Sequence, residues 1–337
     1  MRLLKNKKSL GIIIVSMVAS NAFTYYYITK KNGAAVENNV SETSSSTYKV
    51  QRLNGFKFIK PILFVDNKLA SERLNGLKQN VTGIIENYKK IGVLNSASFY
   101  LKEFNGNGWT GLNEDEKFLP GSLMKVPELI AYLKMNELKP GTLDRVISYD
   151  KVNDVDRRTN FNSNTIQVGK KYTVRELLKY MIKYSDNQAT DLLNRNIDTK
   201  IFGKVFTDLG LAIPDWNSGS YPISARAYSV FMRALFNGSY LNNENSEIGA
   251  QLLSECDFKL GLIAGLPKGT KVAHKFGEAG KVNEQQLSES AIVYIDNNTY
   301  ILTIMTAGKD HKQLPEIIKE ISAATYQYMA VNSVPAN

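Results

Sequence analysis

The sequence predicts an α/β (α+β) fold. An antiparallel sheet, flanked by N- and C-terminal helices, is contributed by both halves of the chain, and an all-helical subdomain lies between them. Three observations predict it. Residues 96–101 alternate, Asn105-Gly106-Asn107-Gly108 is a hairpin-type turn, and residues 109–112 return. Near the other end, residues 272–277, 290–295 and 300–306 are strand-like, the last two joined by Asp296-Asn297-Asn298. Between these regions the apolar residues recur at helical spacing and carry cap signals.

Taken in order, the chain opens with Arg2, Lys5, Lys7 and Lys8, followed by 21 uncharged residues, 9–29, and then Lys30 and Lys31. A run of that length can just span a bilayer, with Tyr25-Tyr26-Tyr27 at one interface and the basic N-terminal end in the cytoplasm. The length favours an uncleaved anchor. A cleavable signal peptide is the rival reading, left open by the small residues Ala19, Ser20 and Ala22. Residues 1–31 therefore form an anchor or signal. Residues 32–54 are polar, cannot build a core, and read as a tether. Residues 55–337 are the expected folded domain.

That domain starts with an extended segment, 56–66, containing Pro61-Ile62-Leu63. A helix over 71–91 follows, with Leu74, Leu77, Val81, Ile84, Ile85 and Tyr88 on one face. After the first hairpin a helix begins beyond Pro120 and runs towards Met135, with Pro127 in its first turns, where a missing N–H costs least. Thr173-Val174-Arg175-Glu176 is a capping box for a helix through Tyr184. Ser185 is expected to cap the next helix, 187–194. Ser224 and Asn243 open two more, and Pro315 begins a final helix over 316–330.

The formal net charge of +10 is largely local. Residues 1–31 hold six basic residues and no acid, which leaves 36 basic against 32 acidic elsewhere. That mild surplus gives no support to a nucleic-acid partner. The one cysteine, Cys256, excludes an intramolecular disulfide and reads as a small buried hydrophobe. With two histidines, no H-E-x-x-H and no G-x-S-x-G, neither a zinc site nor a Ser-His-Asp triad is supported. No metal or cofactor is expected. His274 reads as a structural strand residue.

The chemistry-bearing stretch is Pro120-Gly121-Ser122-Leu123-Met124-Lys125. Ser122 and Lys125 are close to one helical turn apart, which puts them on one face. A serine hydroxyl needs a partner to take its proton, and a lysine can do so if burial or another cation lowers its pKa. Alone, S-x-x-K is weak evidence. Two later stretches reinforce it: Ser185-Asp186-Asn187 and Lys275-Phe276-Gly277, about 60 and then about 90 residues further on. S-x-x-K, S-D-N and K-T-G in that order are the signature of class A β-lactamases and penicillin-binding proteins.

The chain therefore resembles the serine β-lactamase and penicillin-binding superfamily over roughly residues 95–331. The resemblance implies the α/β-plus-α architecture with a cleft between its parts. It implies Ser122 as the acylated nucleophile, Lys125 as proton acceptor and Ser185 as the shuttle to the leaving nitrogen. Asn187 would fix Lys125 and the substrate amide, and Lys275 would anchor a substrate carboxylate. Gly277 would let substrate backbone lie on the strand, and the N–H groups of Ser122 and Glu278 would form an oxyanion hole. Two departures stand out. Phe276 replaces the usual threonine, and residues 209–221 lack the Ω-loop glutamate of class A enzymes, with Asp215 the one carboxylate there. Three functions stay open: a slow β-lactam hydrolase, a D-Ala-D-Ala carboxypeptidase or transpeptidase acting on peptidoglycan, and a non-catalytic wall-binding protein. The expected partners are a β-lactam or D-Ala-D-Ala-type peptide and the membrane, and the protein is expected to be a monomer.

Overall fold

In the computed structural model, the structure describes residues 47–152, 160–161, 163–215, 220–281, 284–296 and 298–332. The anchor and most of the tether expected from the sequence lie outside them. Among the described residues no helix is long and apolar enough to cross a membrane. Tyr48–Asn337 is one compact unit.

Its first element is a hairpin, β1 (Tyr48–Arg52) paired antiparallel with β2 (Ile62–Asn67). Part of the stretch read as tether is thus a strand, because Leu63 and Phe64 of its partner are buried and hold the pair to the body. Helix α1 (Asn75–Lys90) follows, entered through a short 3-10 turn at Glu72–Leu74. It buries Leu77, Val81 and Ile85 on the face the spacing indicated.

Strands β3 (Leu94–Glu103), β4 (Trp109–Leu112), β9 (Lys271–Lys281), β10 (Glu284–Tyr294) and β11 (Tyr300–Gly308) form one antiparallel sheet in the order β4-β3-β11-β10-β9. Both ends of the chain supply it, as the sequence indicated. The β9–β10 pairing from Lys271↔Tyr294 to Lys281↔Glu284 is longer than the apolar pattern implied. Its distal part is polar, so alternation alone could not reveal it. Helix α1 and the last helix, α8 (Leu314–Val331), cover one face of the sheet, with Leu74, Phe99, Ile304 and Ile318 in a shared apolar cluster.

The other face packs on the helical part. Here lie α2 (Lys125–Leu138), α3 (Val174–Lys183), α4 (Asn187–Asn194), α5 (Thr199–Asp208), α6 (Ala225–Phe236) and α7 (Asn243–Ser254). The Thr173–Glu176 capping box is present, with Glu176 N donating to Thr173 Oγ1 at 3.2 Å and Thr173 N donating to Glu176 at 2.7 Å. Ser224 caps α6 as read, and α7 begins at Asn243 as read, with Asn242 as its cap. Small sheets pair β5 (Lys117–Phe118) with β8 (Ile223–Ser224) and β6 (Val146–Tyr149) with β7 (Lys170–Thr173).

The two parts meet where β9, an edge strand, passes the turn before α2. A Cβ on Gly277 would lie 2.1 Å from Pro120 O, and one on Gly121 would lie 2.0 Å from Glu278 O. Neither distance is possible for real atoms, and both contacts are backbone. Gly121 also has φ +50°, which L side chains rarely adopt. These glycines let the turn and the strand touch. Gly277→Ala should therefore cost about 1–3 kcal/mol or more of overpacking strain. A melting temperature lowered by several degrees, read by calorimetry, is the expected result, and an unchanged one would refute this reading.

Candidate active site

Ser122 lies on a 3-10 turn, Gly121–Met124, and Lys125 is the first residue of α2. The expected α-helical start is tighter because Gly121 turns left-handed as it passes β9. Lys125 is buried, and its Nζ donates to Ser185 O at 2.6 Å, Ser185 Oγ at 3.2 Å and Asn187 Oδ1 at 2.8 Å. Lys275 comes from the opposite part of the fold. Its fully buried Nζ donates to the same Ser185 Oγ at 3.0 Å and to Phe276 O at 2.9 Å. One hydroxyl thus accepts from two ammonium groups. A hydroxyl has two lone pairs for this, so its own proton is left to be donated elsewhere.

Ser185 does not cap α4, contrary to the sequence reading. Its φ is +56°, and the cap is Asp186, whose Oδ1 accepts from Gln188 N at 3.0 Å. The physical reason is that the Ser185 oxygen is committed to the lysines. A non-glycine residue in this conformation costs about 1–3 kcal/mol and persists only where its surroundings fix it. Asp186 helps to do so. It is buried and also accepts from Thr165 Oγ1 at 2.9 Å and Ile166 N at 3.0 Å.

The electrostatics follow from burial. Lys125 is held well below the ordinary lysine range by desolvation, and the Lys275 charge adds to the effect. Burial lowers Lys275 to about 8, against the pull of Cys256, Glu289, Asp257 and Glu278. Both amines are therefore easier to deprotonate than a surface lysine.

Phe276 stands where a threonine is usual and points into the core. It stacks on Phe258 with centroids 4.3 Å apart, and Lys275 Nζ lies 4.0 Å from the Phe276 ring centroid. A desolvated cation–π contact of this kind is worth about 2 kcal/mol. Gly277 is explained by its contact with Pro120 and Leu123. Glu278 lies with its backbone against Gly121, while its side chain accepts from Asn160 Nδ2 at 2.7 Å and Asn160 N at 3.1 Å. Sequence reasoning had used only its backbone.

Beside the turn lies a cavity of about 290 Å³ lined by residues including Leu119, Gly121, Met124, Asp215, Tyr221 and Ala279. Asp215, the one carboxylate of residues 209–221, is exposed there.

Two groups escaped the sequence reading. Glu128, one turn beyond Lys125, is buried, and its Oε2 has no hydrogen-bond partner among the described residues. Desolvation raises its pKa to about 7, against the pull of Lys125 and a hydrogen bond from Asn194. The spacing from Lys125 was visible, but its burial depends on the neighbouring helices. The second group lies behind Lys275, where buried His274 Nδ1 is 2.7 Å from Glu289 Oε1. Cys256 adjoins this ring. Burial pushes its thiol up, but the His274 charge and hydrogen bond, the Lys275 charge and a Phe258 backbone hydrogen bond together outweigh that and lower it to about 7. Cys256 is thus buried as expected, yet electrostatically coupled rather than a plain hydrophobe.

Fold and cleft together define a class, that of the serine β-lactamases and penicillin-binding proteins. The model of the β-lactamase enzyme family (Beta-lactamase2) matches residues 76–329, and the chain belongs to that family. A β-lactamase of Phocaeicola vulgatus is 27% identical over 188 residues, which are 48% of this chain and 58% of that protein. The alignment thus spans under two thirds of that relative's length. The β-lactamase VEB-1 of Pseudomonas aeruginosa is 25% identical over 303 residues, 81% of this chain and 98% of that protein. Among solved structures, PBP-A has a TM-score of 0.65 at 20% identity, covering 78% of this chain and 99% of its own. A mutant of PBP-A has been solved as an acyl-enzyme complex with penicillin G.

The Glu128 carboxylate supports the Lys125 cation electrostatically. In Glu128→Gln the Lys125 proton should leave at lower pH. The acid limb of the rate of covalent labelling by a β-lactam should shift downward, as followed by intact mass across pH. An unmoved limb in a folded variant would show that the two groups are independent.

Proposed function

We propose that the protein is an extracytoplasmic serine hydrolase, acylated at Ser122 by β-lactams and hydrolysing them slowly. The observation that carries this reading is the buried Lys125 amine, one turn from Ser122 and hydrogen-bonded to Ser185 and Asn187. Neutral Lys125 takes the Ser122 proton as Oγ attacks the lactam carbonyl. The charge that develops on the carbonyl oxygen meets the N–H groups of Ser122 and Glu278. The C–N bond then breaks. Ser185 hands its proton to the departing nitrogen and is reprotonated from Lys125, which leaves an ester on Ser122. Lys275 holds the substrate carboxylate, and Asn187 holds both Lys125 and the substrate amide. Water cleaves the ester in the second half-reaction.

That second half is the slow one. Activating water needs a positioned base, worth about 10²–10⁴-fold. Residues 209–221 offer no glutamate, and Asp215 is the sole carboxylate among them. An acyl-Ser122 adduct should persist after β-lactam treatment, as a stable mass increase that Ser122→Ala abolishes. Rapid return to the free mass with antibiotic turnover would overturn slow deacylation and direct attention to Asp215. Lys125→Ala should slow labelling by about 10²–10⁴-fold without unfolding the protein.

The pH profile follows from the two lysines. Lys125 acts as a base when neutral, so acylation rises as pH passes its lowered pKa. Lys275 captures an anion when charged, so capture falls as pH passes about 8. A bell-shaped kcat/KM for acylation, with its alkaline limb near that value, is expected. A profile still rising beyond it would remove Lys275 from carboxylate binding.

A second reading is a D-Ala-D-Ala carboxypeptidase or transpeptidase, favoured by the same missing glutamate and by the similarity to PBP-A. Release of D-alanine from a stem peptide would establish it. Binding to peptidoglycan without covalent labelling would favour the wall-binding alternative.

Residues 9–29 are proposed as an uncleaved single-pass anchor and residues 32–47 as part of its tether, with the domain outside the bacterial cell membrane. Fractionated cells should retain the whole chain in the membrane. Recovery of a soluble form trimmed near Ala22 would establish the signal-peptide reading instead.

A further inference from the structure

The hairpin 48–67 carries a surface that the reaction does not use. Eight large hydrophobic side chains between Tyr48 and Leu69 are exposed, as many as in all the other described residues together. Six of them lie at two places on the hairpin. The tip presents Phe56, Phe58 and Ile59, with Phe58 87% exposed. Val50 and Val65, opposite one another in the register, and Ile62 add exposed apolar surface on the strands.

Charge follows the same segment. Residues 48–69 contain Lys49, Arg52, Lys57, Lys60 and Lys68 against a single acid, Asp66. Asp66 is already paired with Arg233 at 2.5 Å. Lys57 and Lys60 interleave with the aromatic tip residues, and Lys57 Nζ lies 5.1 Å from the Phe58 ring centroid.

The hairpin is fixed to the body by its other side. Leu63 and Phe64 are buried, Arg233 lies 4.4 Å from the Phe64 ring centroid, and Trp109 Nε1 donates to Asn67 O at 2.8 Å. Leu53 N donates to Pro61 O at 2.9 Å and Arg52 Nη1 to Lys60 O at 2.6 Å, closing the base of the tip. The exposed apolar groups therefore sit on a held scaffold. Exposed large apolar side chains gathered on one hairpin point to an interaction site.

We propose that the hairpin 48–67 is a membrane-surface contact, whose Phe56-Lys57-Phe58-Ile59-Lys60 tip enters the headgroup region of a bilayer carrying anionic lipid. Aromatic and aliphatic groups reach the acyl boundary while lysine stems leave their ammonium groups at the anionic headgroups. The same positive charge disfavours pairing of this surface with a second copy of the chain. The inference rests in part on the proposed anchor. Sixteen residues separate Lys31 from Tyr48. A polar linker of that length has a random-coil reach of about 20–25 Å, enough for the proposed anchor to keep the hairpin at high effective concentration near the surface. The second contact would hold the domain at the lipid surface instead of leaving it free on its tether.

The test uses the full chain reconstituted into phosphatidylcholine vesicles with and without phosphatidylglycerol. A dye on Phe58→Cys reports depth, and one on Leu138→Cys, exposed on α2, is the control. Cys256 is buried and escapes labelling. The dye at position 58 should be quenched by acyl-chain-brominated lipid and shielded from aqueous iodide, more so with phosphatidylglycerol, while the control stays accessible. Replacing Phe56, Phe58 and Ile59 by serine should weaken partitioning of the hairpin at least about tenfold, the lower end for withdrawing one phenylalanine from water. Flotation with the vesicles reads the anchor separately. Flotation with an iodide-accessible dye at 58 overturns the contact and leaves the anchor standing. Flotation lost in the triple serine variant and at high salt supports the contact and removes the anchor. Failure to float on anionic vesicles overturns both. Shielding of position 58 in lipid-free protein that grows with concentration also overturns the proposal, in favour of self-association.

Discussion

Two lysine ammonium groups meet at one serine oxygen inside the protein, and much of the structure exists to keep them there. Lys125 and Lys275 are both buried, and both donate to Ser185 Oγ. Placing two like charges in a water-poor site is unfavourable unless each is met by oxygens and nearby anions. The fold supplies them unequally. Lys125 has Ser185 O and Asn187 Oδ1, with Glu128 and Asp186 as negative neighbours. Lys275 has Phe276 O and an aromatic face, with Glu289, Asp257 and Cys256 behind it. The residual imbalance is chemically useful, because it lowers both pKa values towards the range where a lysine can exchange protons.

The lysines reach that oxygen from different parts of the fold. Lys125 belongs to a helix of the helical part and Lys275 to the edge strand of the sheet. Their meeting depends on how closely β9 approaches the 3-10 turn. Gly121 and Gly277 set that distance, since any Cβ at either would strike backbone. Ser185 completes the joint by adopting a left-handed conformation at the corner between α3 and α4. Strain of this sort is kept where surrounding contacts determine it, here the Asp186 cap and its bonds to Thr165 and Ile166.

Some of the site could not be read along the chain, for identifiable reasons. Ser185 looked like an N-cap because Ser is a favoured cap, but Asp186 is one as well, and tertiary demand on the hydroxyl decided between them. Phe276 stood out only as a departure from the usual threonine. Its stacking on Phe258 shows a core residue that also shields Lys275. Cys256, His274 and Glu289 gave no spacing signal, since the sheet brings two of them together across the β9–β10 pair and the chain after α7 delivers the third.

The sequence alone determined the chain order of the five main-sheet strands and of the helices other than α5, the membership of both chain ends in one sheet, the Thr173 cap and the three short motifs. These depend on local periodicity, on capping side chains and on residue types that chemistry requires. It also located the departures at Phe276 and residues 209–221, because these are differences of letters. What only the tertiary structure decided is protonation and proximity. Glu128 is an ordinary helical glutamate until its neighbours bury it, and two lysines 150 residues apart become one electrostatic unit only when the glycines bring their backbones together. Desolvation and close approach belong to packed neighbours from distant parts of the chain, so no local pattern encodes them.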